Sequence, residues 1–245
     1  MMTGRKVKVF AVVPAAGIGK RFGPGGKKLF NSLGGKPVVI HTLELLQSAP
    51  EITEIIPAVK EEDLMIFADL IEEFELNKVK QIVPGGQERQ DSVYNGLRFI
   101  SDDASVVLIH DGGRPFADCG MISRVLDDIE GCDGTVAAVP VKDTIKEAAA
   151  GDEEADAPFV RCTLNRSVLY AVQTPQAFPF GVIMEAHEKA KRERFLGTDD
   201  ASLVERYGGK IRLVPGSYRN IKITTPEDLA VAEALLALSH RPECG

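Results

Sequence analysis

The residues able to do chemistry fall in short stretches where glycine meets charge. The first is Pro14-Ala15-Ala16-Gly17-Ile18-Gly19-Lys20-Arg21-Phe22-Gly23, followed by Lys27-Lys28-Leu29-Phe30. Small residues let a backbone approach a ligand closely, and N–H groups facing a phosphate donate to it. The glycines at 17, 19 and 23 do not match the GxGxxG dinucleotide spacing, and no Gly-Lys-Ser/Thr closes a P-loop. A Gly-rich loop alone is a weak signal, but Arg21 and Lys28 add two cations of the kind a triphosphate's charges would need.

The second stretch, Pro84-Gly85-Gly86-Gln87-Glu88-Arg89-Gln90-Asp91-Ser92-Val93, reads by itself first as a turn with a helix cap, and otherwise as a loop reading a base edge with help from the Ser92 hydroxyl. In the third, Val107–Pro115, Asp111 stands at the end of a strand beside Gly112-Gly113-Arg114. It is placed either to cap a turn or to hold a hard divalent cation such as Mg²⁺. His110 has no second histidine at metal-binding spacing and reads as a packed strand-end side chain. Further polar groups lie at Asp143-Thr144, Asn165-Arg166, Thr174-Pro175-Gln176, Gly197–Ser202 and Asn220–Thr224. Spacing alone assigns none of them to function. Thr198 or Asp199 suits the start of a helix over 200–207, and Thr225-Pro226 suits the start of the last one.

The elements that must position these loops alternate in type. Apolar runs at 7–14, 52–59, 79–83, 105–110, 134–140 and 210–214 predict strands. Stripes of helical period predict helices over 37–49, 61–75, 90–100, 121–129, 180–194 and 226–238. Repeated β-loop-α units imply an α/β fold with a doubly wound, mostly parallel sheet and ligands at the carboxyl ends of its strands. The pattern breaks at 141–172. Short strands at 141–146 and 159–164 flank an acidic, small-residue spacer, which predicts a projecting β-hairpin arm on an otherwise single domain spanning 1–245. Phe159, Val160 and Leu164 on such an arm imply a second copy covering them across a two-fold axis, hence a homodimer.

Composition narrows the class. The chain is 44% hydrophobic and 27% charged, as ordinary globular proteins are, and its net charge of −7 with no dense basic block argues against nucleic-acid binding. No apolar run approaches the roughly 20 residues of a membrane span, and no signal-peptide pattern opens the chain, so a cytoplasmic protein is expected. The four cysteines lack metal-site spacing and are expected to be reduced thiols.

From about Val7 to Leu236 the chain resembles the 2-C-methyl-D-erythritol 4-phosphate cytidylyltransferases. The likeness rests on the Pro14–Arg21 loop with Lys28, Gly85-Gly86-x-Glu88-Arg89-x-Asp91-Ser92-Val93 and His110–Pro115. It continues through Val141-Lys142-Asp143-Thr144, Thr174-Pro175-Gln176, Thr198-Asp199-x-Ala201-Ser202 and Asn220-Ile221-Lys222-x-Thr224-x-Pro226-Glu227-Asp228-Leu229. It implies a Rossmann-like nucleotidyltransferase joining CTP and methylerythritol phosphate with release of pyrophosphate; a ribitol phosphate cytidylyltransferase on the same fold is the alternative. It further implies that Pro14, Ala15, Ala16, Gly17, Gly19, Gly86, Gln87, Ser92, Asp111 and Gly112 surround the nucleotide. Arg21, Lys28 and Lys222 would carry the catalytic charge with Mg²⁺ near Asp111. Arg114, Thr144, Arg166, Thr174 and Thr198 would hold the alcohol phosphate, some of them from a partner's arm. Gln87 stands where the family often has an acidic residue, and Gly112-Gly113 where it often has Ala-Ala. No Ser/His/Asp or Cys/His set is required, because the nucleophile is a phosphate oxygen already ionised near neutral pH.

Overall fold

A computed structural model describes residues 7–17, 28–101, 104–149 and 159–238. In chain order the strands and helices are β1 (Val9–Pro14), the two-residue pair β2 (Ser32–Leu33) and β3 (Lys36–Pro37), α1 (Val38–Ser48), β4 (Ile52–Val59), α2 (Leu64–Glu73), β5 (Val83–Pro84), α3 (Arg89–Leu97), β6 (Val106–Ile109), α4 (Cys119–Asp127) and β7 (Gly134–Pro140). There follow β8 (Lys146–Ala148), β9 (Val160–Thr163), β10 (Tyr170–Pro179), α5 (Phe180–Glu193), α6 (Asp200–Arg206), β11 (Ile211–Pro215) and α7 (Pro226–Ala237).

One seven-stranded sheet, ordered β11-β7-β10-β6-β1-β4-β5, carries the molecule. Residues 9–13 of β1 are all buried because successive side chains enter opposite apolar layers. Val9, Ala11 and Val13 join the layer built with α1, α2 and α4, which includes Leu43, Leu46, Phe67 and Met121. Phe10 and Val12 join the layer built with α3, α5 and α6, which includes Val93, Ile183 and Leu203. Within this sheet all pairings are parallel except those of β10, which runs antiparallel to both β6 and β7. The expected mostly parallel, doubly wound α/β sheet is therefore present.

Three local expectations are corrected. A strand was expected at 79–83, but only Val83–Pro84 forms β5, with Val79 making an isolated bridge to Ile55. The ten-residue β10 had no strand signal, since Pro175 and Pro179 lack the amide a central ladder uses. Its register against β7 shifts between Val172 and Gln176, around the cis Thr174–Pro175 bond, and the prolines fall there and at the strand end. The arm begins later than expected. Residues 141–145 form no strand, and the β8–β9 hairpin pairs Lys146 with Thr163 and Glu147 with Cys162. Its 150–158 spacer lies outside the described residues. Tyr170–Val172, placed in the arm by sequence, extends β10 against Pro140–Ala138 of β7.

Cys132 and Cys162 are free, as expected, whereas Cys119 is disulfide-bonded. Among the described residues, no helix is long and apolar enough to cross a membrane.

Candidate active site

A cleft opens where β1, β5 and β6 end. Pro14, Ala15, Ala16 and Gly17 form one wall and Gly86, Gln87, Glu88, Arg89 and Ser92 another; Asp111, Gly113, Lys28 and Lys222 complete it with Leu29. Loop 85–86 packs this closely because Gly85 and Gly86 carry no side chain. A Cβ on Gly85 would stand 2.3 Å from Ala16 Cβ, and one on Gly86 2.1 Å from Asp91 Cβ. The loops are tied to their strands by backbone bonds, with Ala15 N donating to Ala58 O and Gly85 N to Val59 O. Ser92 is buried, and its hydroxyl accepts from Gly86 N at 3.1 Å while donating to Glu88 O. It shapes the loop, which leaves backbone groups to face a ligand.

The cleft floor is a cluster of charges centred on Asp111. Arg89 Nε donates to its Oδ1 at 2.7 Å; Lys222 Nζ lies 2.7 Å and Arg114 Nε 3.6 Å from its Oδ2. Burial alone would raise the Asp111 carboxyl, but Arg89, Lys222 and Arg114 hold it well below the usual carboxylate range. Behind it, Asp111 N donates to Thr174 Oγ1 at 3.0 Å, and that hydroxyl lies 3.1 Å from His110 Nδ1. His110 Nε2 lies 3.2 Å from Arg114 O. Burial pushes His110 down to about 4, so the neutral ring donates from Nε2 and accepts at Nδ1. One directed chain of hydrogen bonds thus fixes the whole 110–114 turn.

Lys222 is held over the floor by a stitched segment. Asn220 is fully buried; its Nδ2 donates to Thr174 O at 2.8 Å, and its carbonyl accepts from Arg114 Nη1 at 2.7 Å. Ile223 N donates to Gly113 O. Asp228 Oδ2 accepts from Thr224 N and Thr225 N, closing the capping box of α7. The expected start of that helix at Thr225-Pro226 is observed, and Asp199 rather than Thr198 caps α6.

The structure brings Pro14, Ala15, Ala16, Gly17, Lys28, Gly86, Gln87, Ser92, Asp111 and Lys222 to one cleft. Gly19 and Arg21 lie outside the described residues. Gly112 is buried behind the cleft, its carbonyl accepting from Thr42 Oγ1. Thr174 and Arg114, expected on substrate, do not line the cleft: Thr174 Oγ1 accepts from Asp111 N, and Arg114 Nη1 donates to Asn220 O with its Nε 3.6 Å from Asp111 Oδ2. Thr144, Arg166 and Thr198 are exposed and do not line this cleft; Arg166 Nη1 donates to Lys142 O. Sequence reasoning missed Arg89 as a site residue, although it had the charge and lay in a marked loop. Its partners, Asp111 and Asp200, are visible only once the chain is folded.

Among the described residues, no group of three or more His, Cys, Asp or Glu is placed to hold a metal ion. The donor set does fit a cation arriving on a polyphosphate. Mg²⁺ is commonly held by one or two carboxylates with phosphate and water oxygens, and Asp111, whose oxygens already carry Arg89 and Lys222, offers one.

A glycine-walled cleft at the carboxyl ends of parallel strands, with a floor of paired charges and cations at its edge, defines an α/β enzyme of nucleotidyl transfer. The 2-C-methyl-D-erythritol 4-phosphate cytidylyltransferase family model matches residues 9–238, and the chain belongs to that family. It is 48% identical over 230 residues to the 2-C-methyl-D-erythritol 4-phosphate cytidylyltransferase of Bacillus mycoides (strain KBAB4), covering 94% of this chain and 98% of the relative. It is 47% identical over 233 residues to that of Geotalea uraniireducens (strain Rf4), covering 94% and 97%. The crystal structure of 4-diphosphocytidyl-2C-methyl-D-erythritol synthase from Anaerococcus prevotii DSM 20548 superposes with a TM-score of 0.82 at 31% identity, covering 95% of this chain and 97% of that one.

Proposed function

We propose that this chain joins CTP to 2-C-methyl-D-erythritol 4-phosphate, forming 4-diphosphocytidyl-2-C-methyl-D-erythritol and pyrophosphate. The observation that carries this reading is the single cleft that gathers the small-residue loops 14–17 and 85–86, Lys28, Asp111 and Lys222 in a member of this family. Relatives named for methylerythritol phosphate favour it over the ribitol phosphate alternative.

A phosphate oxygen of the alcohol substrate attacks the α-phosphorus of CTP. The new P–O bond forms as the bond to the β-phosphate bridge breaks, and pyrophosphate departs with that bond's electrons. No proton moves, so the residues' task is to align anions and absorb charge. The backbone of Ala15–Gly17 and Gly86 faces the nucleotide, with Gln87 near its ribose. Lys28 and Arg21 take the triphosphate, and Lys222 leaves Asp111 Oδ2 to meet the incoming phosphate. Asp111 would help to hold a Mg²⁺ bound with CTP, and that ion would supply Lewis-acid neutralisation of the phosphates. Arg114 and Thr174 hold the Asp111 turn, while Thr144, Arg166 and Thr198 bind the alcohol phosphate.

The arm supports a homodimer. All of β9 is exposed, as are Phe159 and Val168, a surface a second copy would cover. Multiply charged, water-soluble substrates support a cytoplasmic place of action. The direct test is pyrophosphate release from CTP with methylerythritol phosphate or ribitol phosphate, side by side. Release with the first alone supports the reading, and release with ribitol phosphate alone overturns it.

A further inference from the structure

Asp200 is a carboxylate buried to 1% exposure at the first turn of α6, away from the cleft lining, and the reaction as drawn gives it no task. Its Oδ2 accepts from Arg89 Nη1 at 2.6 Å, and its Oδ1 lies 3.1 Å from His187 Nε2 on α5. Burial opposes its charge, yet Arg89 and the His187 hydrogen bond keep it below the usual carboxylate range. The start of α6 is itself pinned to the sheet, since Ala201 N donates to Gln176 Oε1 and Gln176 Nε2 donates to Asp199 Oδ2.

Arg89 is the joint. One edge of its guanidinium is fixed on Asp200 through Nη1, and Nε reaches Asp111 Oδ1 at 2.7 Å. A guanidinium is a rigid planar fork, so fixing Nη1 fixes the direction from which Nε meets Asp111. Asp111 Oδ2 in turn holds Lys222 at 2.7 Å. Asp200, Arg89, Asp111 and Lys222 thus alternate in sign from the body of the protein to the cleft. Buried ion pairs are often replaceable by apolar residues without loss of stability, which leaves their geometry as the feature to explain.

We propose that Asp200, acting through Arg89, is a positioning residue that sets Asp111 and Lys222 in the cleft. The inference rests on the cytidylyl-transfer reading and deepens it. The test compares wild type, Asp200→Asn, Arg89→Gln, Arg89→Lys and the Asp200→Asn/Arg89→Gln double variant. Each is assayed for pyrophosphate release with CTP and methylerythritol phosphate, for CTP binding by calorimetry, and for melting temperature. Misplacing reacting groups by about 1 Å costs up to roughly 100-fold, so Asp200→Asn is expected to lower kcat about 10- to 100-fold. Because loops 14–17 and 85–86 are untouched, the KM for CTP should stay within about threefold. The double variant should be no slower than Arg89→Gln alone, because Asp200 works only through Arg89. Arg89→Lys, which keeps the charge without the fork, should be as slow as Arg89→Gln.

Unchanged kcat with only a lowered melting temperature would overturn the proposal, as would multiplying losses in the double variant or full activity in Arg89→Lys. If Asp200→Asn does not fold, Arg89→Lys decides alone: wild-type kcat overturns the proposal and a matched loss supports it. A wild-type protein that binds CTP but releases no pyrophosphate overturns the reaction, and the same comparison on the calorimetric affinities then judges the positioning. In that case inorganic phosphate, which Lys222 would meet, is titrated by the same calorimetry: phosphate affinities unmoved by Asp200→Asn and Arg89→Lys overturn the positioning, and weakened ones support it.

Discussion

The cleft and the arm treat charge in opposite ways. At the cleft floor, Asp111 meets three cations within the same chain, and the turn carrying it is bonded on every side. On the arm, the Arg161–Glu147 pair at 2.5 Å is solvent-exposed, a kind worth little in water, and apolar Phe159 and Val168 are 79% and 70% exposed. The cleft is organised by this chain's own fold before any ligand comes. Most described side chains of the arm are exposed, with Ile145 and Leu164 half-buried, and the proposed second copy would cover them. Organisation of the cleft should therefore appear as selectivity and rate within one subunit, and the role of the arm as dependence on a second.

The largest expected effect concerns the base. If fixed backbone groups of Ala15–Gly17 and Gly86 read the cytosine edge, CTP should be preferred over ATP and GTP by about 10⁴ in kcat/KM, the scale at which hydrogen-bonding sites reject mismatched groups. Comparable turnover with a purine nucleotide would mean that the walls are not rigid enough to choose.

Next is Lys28, whose Nζ would lie 3.9 Å from a Cβ built on Gly113, at the meeting of two loops. Removal of a preorganised charge-stabilising donor costs about 10²–10³ in turnover, so Lys28→Ala should fall by that factor with the fold intact, and Lys27→Ala by far less. Equal losses would put the working charge elsewhere in the loop.

The arm is tested by mixing subunits. Arg166→Ala and Lys28→Ala proteins, each nearly inactive, are unfolded together and refolded. If the arm serves its neighbour's cleft, half of randomly paired dimers hold one intact site of two, and activity recovers to at most about a quarter of wild type. Verified heterodimers without recovery would return Arg166 to its own subunit and remove the contrast between the two regions.

The smallest effect touches stability alone. His110 has its pKa lowered from the unfolded value near 6.5 to about 4, so the unfolded chain binds more protons between those values and stability falls as pH drops through that window. Urea titrations at pH 7 and 5 should show wild type losing about 2 kcal/mol more than His110→Gln. Parallel losses would mean that the ring is not the buried neutral link of the Asp111 turn.

How far the sequence was legible depends on the range of the interaction that decides each feature. β4 and β7 stand at their expected residues, and Pro226 opens α7, because burial on both faces and helix capping are written in adjacent residues. β10 was not legible, since Pro175 and Pro179 spoke against a central strand and only its neighbours β6 and β7 supply the pairing. Thr174 and Arg114 were legible as polar residues of interest but not as supports of Asp111, because their hydrogen bonds are made across the fold.

The amino-acid order by itself determined the alternating strands and helices, the small-residue loops after β1 and β5, and the carboxylate after β6, since period, propensity and turn chemistry act over a few residues. The tertiary structure alone decided which charges meet. Arg89 and Asp200 are 111 positions apart, and Lys222 reaches Asp111 from a segment stitched to Gly113 and Thr174. Such pairs have no spacing signature, because their distance is fixed by the sheet order and by helix packing, which no local stretch of sequence encodes.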